Sequence, residues 1–400
     1  MSKLYKLNLQ LFANANPQGT TTEALSVENK TFYSDYLIDN AMPKLVHGQF
    51  GQKHPIPQNG GKTIEFRKFS PLGKLLTPLT EGVTPDGQSL SVSKIEATVD
   101  QYGGYVTYTD VIDLTAIDDV VVQATKLLGN QAGMTVDTID REVLNGGTNV
   151  VYAGGAASRT AVTANLKVDD IKKAVRALKT QNADKIGDSF VAIIHPDVTY
   201  DLTNDPTWQS VKDYDPKDWY EGEIGKIAGV RFVETTEAKI FHGADLASNS
   251  RSLLVNGAVS ASTSVTFDGG TVAAGALVGR KVLIGDVTAK VTANTTTTLT
   301  LDTAVTAADN AVIYPGEGGK EGQAIYSTLI LGDNAYGITE IEGGGMEHIV
   351  KAKGSSGVAD ALNQRGSIGW KTMHVCERLV EQFMVRIESA STFSGEVTAN

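Results

Sequence analysis

Residues able to do chemistry are sparse in this chain, and each arrangement of them stops short of a working site. Gly61-Lys62-Thr63 ends like a phosphate-binding loop, in which glycine amides cradle phosphates while the Lys and hydroxyl that follow reach phosphate and Mg²⁺. Ile56, however, occupies the first glycine position, and a strand pattern rather than a helix follows. Gly319-Lys320 continues into Glu321 and lacks the hydroxyl altogether. Asp213, Asp215 and Asp218 in KDYDPKDW supply hard oxygen ligands, but without the turn glycine and closing Glu that a calcium loop needs. They read as a solvated acidic loop. The six histidines, at 47, 54, 195, 242, 348 and 374, form no i, i+4 helical pair, and none is read as a partner of Cys376. Asn29-Lys30-Thr31 and Asn294-Thr295-Thr296 fit the glycosylation pattern but require an exported protein. The expectation is no catalytic residue, no cofactor-binding residue, no metal site and no enzyme, with spatial convergence of distant residues left open.

Composition narrows the classes further. At 400 residues, 41% hydrophobic and 20% charged, the chain suits two or three domains with real cores. It has no run of eighteen apolar residues, so no membrane span is expected. Lys3 and Lys6 ahead of a short apolar patch, and Ala13-Asn14-Ala15, imitate a secretory signal, but Asn8 and Gln10 break the patch. The single cysteine rules out an intrachain disulfide and fits assembly in a reducing cytosol. A net charge of -11 argues against a dedicated nucleic-acid binder.

The elements that would position these residues point elsewhere. KTIEFRKF (62–69) and the stretch 91–100, in which Ile95, Ala97 and Val99 alternate with Lys94, Glu96, Thr98 and Asp100, read as two strands. The Pro-, Gly- and Thr-rich span between them is too long for an ordinary hairpin loop. It buries little against its own body, so contacts with another chain are expected to order it. Directly afterwards, Thr115 and Asp118 make a capping-box-like start. Ile117, Val120, Val121, Ala124, Leu127, Leu128, Ala132, Val136, Ile139 and Val143 then recur at helical spacing until Asn145-Gly146-Gly147. Thirty such residues give a rod of roughly 45 Å. Gly129 and Gly133 inside it call for a kink or a closely packed neighbour.

Residues 1–60 read as an extended arm around one helix near 32–42. VDDIKKAVRALKT (168–180) is an amphipathic helix with Ile171, Val175 and Leu178 buried, followed by the strand SFVAIIH (189–195), which Pro196 ends. From 255 to 316 the composition shifts to Thr, Val, Ala and Gly. Short alternating strands there (SVTFDG, ALVGRKVLIG, AKVTAN, TLTLDT, AVIYP) indicate an inserted β-barrel or sandwich. Strands are expected again at 324–331, 347–352 and from 369, and the tail is expected to fray.

This order of elements resembles the major capsid proteins of tailed bacteriophages with the Hong Kong ninety-seven type coat fold, and within them the N4-like major capsid protein family. The passages that carry the likeness are FRKFSPLGKLLTPLTEGVTP (66–85), QYGGYVTYTDVIDL (101–114), GNQAGMTVDTIDREVLNGG (129–147), GEIGKIAGVRFVET (222–235) and SIGWKTMHVCERLVEQFMVRIESAS (367–391). The resemblance implies an α+β fold: N-terminal arm 1–60, extended loop 61–110, peripheral domain with spine helix 111–166, axial domain 167–254, inserted all-β module 255–316, and return segment 317–400.

It also implies a structural protein that self-assembles as hexamers and pentamers into an icosahedral head. The head would enclose double-stranded DNA without sequence-specific binding, be assembled in the bacterial host cytoplasm, and end up as the virion. About sixty residues precede the hairpin, so a separate scaffolding protein is expected, with a portal and possibly a decoration protein. Some relatives crosslink a loop Lys to a neighbour's Asn; Lys68, Lys74 and Lys94 lie on or beside this loop, and the sequence does not assign any of them that role. The alternative is a surface adhesin or glycan-binding protein using the 255–316 module, which has no Trp and one Tyr to offer a sugar.

Overall fold

A computed structural model describes residues 46–69, 72–78, 81–82, 84, 87–110, 120–208, 226–355 and 362–395. The expected helix at 32–42, the Thr115 and Asp118 cap, the acidic run 212–219 and part of the hairpin span lie outside them. The chain divides into two compact units, residues 1–140 with 336–379, and residues 141–335 with 380–400. Among the described residues no helix is long and apolar enough to cross a membrane.

The first unit is organised by one long strand, Arg365–Arg378. Along one edge it pairs antiparallel with Asp100–Thr109, from Arg365↔Thr109 to His374↔Asp100. Along the other it takes Glu347–Lys351 at one end and Tyr336–Thr339 at the other. Successive side chains alternate faces, and Ile368, Trp370, Thr372, His374 and Cys376 share the buried face. On that face lies the helix Val120–Asn145, whose last five residues belong to the second unit. Val121, Ala124, Leu128 and Ala132 pack there with Tyr108, Ile368 and Trp370.

Close approach explains the glycines of QYGGYV: a Cβ on Gly104 would come within 2.9 Å of Gln131 Oε1. Gln131 accepts the Trp370 indole hydrogen bond at 3.1 Å. Gly129 and Gly133 are both buried, and the helix runs through them without a break. Leu127, read above as core, is instead 69% exposed.

The second unit holds a seven-stranded mixed sheet. Its path runs Val150–Tyr152, Met384–Ser389, Ile325–Leu331, Phe190–Ile194, Val230–Glu234, Lys226–Ile227, with Ile240–Phe241 added on Ile325–Leu331. Val168–Thr180 covers it, burying Ile171, Val175 and Leu178 against Phe190, Val230, Tyr326 and Val385. The helix Pro196–Thr203 starts at His195, whose Nδ1 accepts the Asp197 backbone N–H at 3.2 Å.

The same unit carries a closed six-stranded barrel, in the order Leu253–Val255, Val259–Asp268, Thr298–Ala307, Val287–Asn294, Lys281–Ile284, Val312–Pro315. Valines, leucines and Phe267 fill its inside, and alternation along each strand leaves the threonines outside. Arg251 and Arg280 fix its base. Arg251 donates to the carbonyls of His242 (2.7 Å), Gly243 (3.3 Å) and Gly322 (3.0 Å), and Arg280 donates to those of Asp245 (2.7 Å) and Ala244.

A buried charge cluster closes this unit. Glu388, fully buried, accepts two hydrogen bonds of 2.7 Å from Arg159 and one of 2.8 Å from Arg386. Arg386 also donates to the carbonyl of Asn145, an orphaned acceptor at the helix end, and to that of Gly147 just beyond it. Arg159 stacks 3.5 Å over Phe241. Removing the carboxylate strands the buried Arg386 guanidinium and deprives the half-buried Arg159 of its partner. Glu388→Ala is therefore expected to destabilise the subunit by about 3–5 kcal/mol in a urea melt followed by circular dichroism. Lys94→Ala, at an exposed ion pair, should leave the melt unchanged.

Burial holds His195 below its ordinary pKa of 6.5, against a weaker opposing pull from Asp197. The unfolded chain takes up a proton near 6.5 that the folded chain resists. This contribution is thus full above that value and is lost as the pH falls below it. His195→Asn keeps a capping acceptor without the titration. It should shallow the fall in Tm between about pH 7.5 and about pH 5.5, leaving what His242 and His348, also lowered by burial, contribute. An unchanged slope would contradict this assignment.

Candidate assembly interface

Thr63–Phe69 and Val92–Thr98 pair only with each other among the described residues, in register from Thr63↔Thr98 to Phe69↔Val92. The base is anchored within the first unit. Ala97 and Val99 are buried, and Val99 N donates to Lys62 O at 2.9 Å. Phe66 packs edge-on to His54 and over Gly337, where a Cβ would come within 3.3 Å of its ring.

Among the described residues the far end has no such support. Phe69, Leu72, Leu75, Leu76, Leu90 and Val92 stand in solvent, with Leu75 and Leu76 79% and 85% exposed. Along the ribbon, charges pair across and along the strands: Arg67 to Glu65 at 2.6 Å, and Lys94 to Glu96 at 2.5 Å and to Glu65 at 3.6 Å. Arg67 holds Glu65 below, and Glu96 holds Lys94 above, their ordinary values. The ribbon is thus polar along its length and apolar at its tip.

The residues first considered for chemistry are dispersed. Lys62 is ion-paired with Asp100 at the ribbon base, 2.9 Å away. Gly319 opens the short turn Lys320–Gly322. Asn294 uses its amide inside the barrel, donating to Ala273 O and accepting from Leu277 N, both at 2.9 Å, so it is no free glycan acceptor. Lys68 and Lys74 have no ion-pair partner among the described residues, unlike Lys94. Among the described residues no group of three or more His, Cys, Asp and Glu side chains is arranged to hold a metal.

Sequence reasoning did miss one convergence. Asp137 and Asp140, one helical turn apart, each hold a histidine: His47 Nδ1 lies 2.8 Å from Asp137, and His374 Nε2 lies 2.6 Å from Asp140. Asp137 also accepts the backbone N–H of Val46 and His47, at 2.8 Å each. Cys376 sits two residues beyond His374 on the same strand face. That spacing was the available signal. The cluster is sealed: burial first, then the Asp140 charge, push the Cys376 thiol far above its ordinary range. It pins the chain near residue 47 and the long strand to one helix, and it offers no nucleophile. Native protein should therefore resist a thiol-specific reagent at neutral pH and label fully only when unfolded; rapid native labelling would contradict the sealed site.

Comparison with known proteins follows the same lines. Residues 93–279 match the family model described as phage capsid protein. The capsid of Ralstonia phage GP4 superposes with a TM-score of 0.56 at 12% identity over 100% of both chains. The capsid of cyanophage Pam1 gives 0.55 at 11% identity over 98% of this chain and 100% of that one. The capsid of cyanophage P-SCSP1u gives 0.52 at 14% identity over 87% and 89%. This chain has a phage capsid fold, of α+β class. No curated protein sequence matches it. The adhesin alternative gains no support from these likenesses.

Proposed function

We propose that this chain is the major capsid protein of a tailed, double-stranded DNA phage, of the N4-like family with the Hong Kong ninety-seven type coat. It is a phage major capsid protein and so a structural component of the virion that assembles with its own copies. The family match and the capsid fold support this. Hexamers and pentamers tile an icosahedral head around the genome, in the host cytoplasm, with separate scaffolding and portal proteins.

The carrying observation is a ribbon, anchored at its base, whose apolar tip stays in water. Burying six such side chains on an adjacent subunit gives the hydrophobic gain that offsets ordering the loop. Repetition around a closed shell multiplies each modest contact. In this reading 61–110 is the extended loop, the long helix is the spine, 167–254 forms the axial domain, and the barrel stands outward.

Replacing Ser70 to Ser89 with a short turn should leave a folded, soluble subunit that forms no particles in electron microscopy. Removing 255–316, whose two ends are brought together by the pairing of Leu253–Val255 with Val312–Pro315, should leave shell formation intact. Normal shells from the first variant would refute the loop assignment.

A further inference from the structure

Lys172, Arg176 and Lys179 succeed one another at i, i+4 and i+7 on the exposed side of Val168–Thr180. With Val175, Thr180 and Ala228 they line an open groove of about 550 Å³. At 1.5 Å per residue the three charges are spread over roughly 10 Å. None has an ion-pair partner among the described residues. Lys173, between the first two in sequence, is by contrast engaged by Asp169 at 2.8 Å and Asp170 at 3.1 Å. The lining includes no acidic side chain, and its apolar members are only Val175 and Ala228. This concentration of positive charge sits on a chain of net charge -11.

We propose that the groove is a contact for the phosphate backbone of double-stranded DNA, made without regard to sequence. It deepens the capsid reading and rests on it, naming the place where the enclosed duplex touches this chain. A protein partner fits less well. Cores of protein interfaces are enriched in aromatic anchors and depleted of Lys, and this groove has the opposite composition. Phosphates need no anchor, because repeated charge meets repeated charge wherever the duplex lies. The acidic remainder of the chain keeps the contact weak and local, which suits DNA that must be packed and later released.

The test is binding of the purified full chain to a labelled duplex of about 30 base pairs, titrated between about 50 and 200 mM salt. The parent should bind at low salt with log K falling linearly against log salt. The variant carrying Lys172→Gln, Arg176→Gln and Lys179→Gln should lose about tenfold or more in affinity at the lowest salt, and its slope should be shallower by roughly 2 to 3. All three side chains are exposed, so its circular dichroism and melt should match the parent's.

Equal affinity and slope in parent and variant, or no binding by the parent, would overturn the proposal. So would a variant that binds the duplex like the parent but no longer forms shells, since the groove would then serve protein contacts. Shell formation is scored separately by electron microscopy. Shells without salt-dependent binding sink the groove alone, whereas duplex binding by a parent that never assembles sinks the capsid reading instead.

Discussion

A two-stranded ribbon has no second layer in which to hide its side chains, and here the side chains at its tip are leucine, valine and phenylalanine. The base is well held: Val99 and Ala97 are buried, Phe66 lies on Gly337, and Lys62 pairs with Asp100. Further out, among the described residues, the ribbon is held by its own strand ladder and by exposed ion pairs, which add little. An isolated hairpin of this kind is marginal in water. Exposed apolar clusters on a soluble protein usually mark an interaction surface. In the proposed shell, the tip would gain its order from a surface outside its own subunit, which identical copies supply many times over.

Such a ribbon acts as a lever only if its root does not move. Within the first unit the root is the strand Asp100–Thr109, held along ten residue pairs by Arg365–Arg378. That sheet is clamped to the long helix by the close approach at Gly104 and by Asp140, which holds His374, while Asp137 holds His47 to the same helix. Within the second unit, Glu388 with Arg159 and Arg386 performs a comparable task at the helix end. The barrel's base is likewise fixed through arginine to carbonyl bonds rather than through a flexible tether.

Local periodicity made much of this legible in the sequence. Ile95, Ala97 and Val99 alternate because one face of the ribbon base is covered. Ile171, Val175 and Leu178 recur because the helix lies on a sheet, and the Thr/Val alternation of 259–307 follows from barrel walls that are dry inside and wet outside. The pairing of Asp100–Thr109 with Arg365–Arg378 was not legible. Its partners lie more than 250 residues apart, and its glycines answer to close neighbours that only the fold supplies: the helix at Gly104 and the facing strand at Gly103, Gly366 and Gly369. The Asp140, His374 and Cys376 cluster escaped notice for a similar reason, since only the fold brings a helix carboxylate over that strand. Leu127 fits the helical stripe by spacing yet stands exposed, because the stripe is wider than the surface covering it.

The central claim, that the ribbon tip is ordered by neighbouring copies, is tested most directly by amide hydrogen exchange on the free subunit and on assembled particles. The account predicts fast exchange through the tip, 69–92, in the subunit and exchange slowed by about tenfold or more over the same peptides in the particle. The strand 365–378 should be protected in both. Equal exchange of 69–92 in the two states, or protection of those peptides already complete in the solitary subunit, would contradict it.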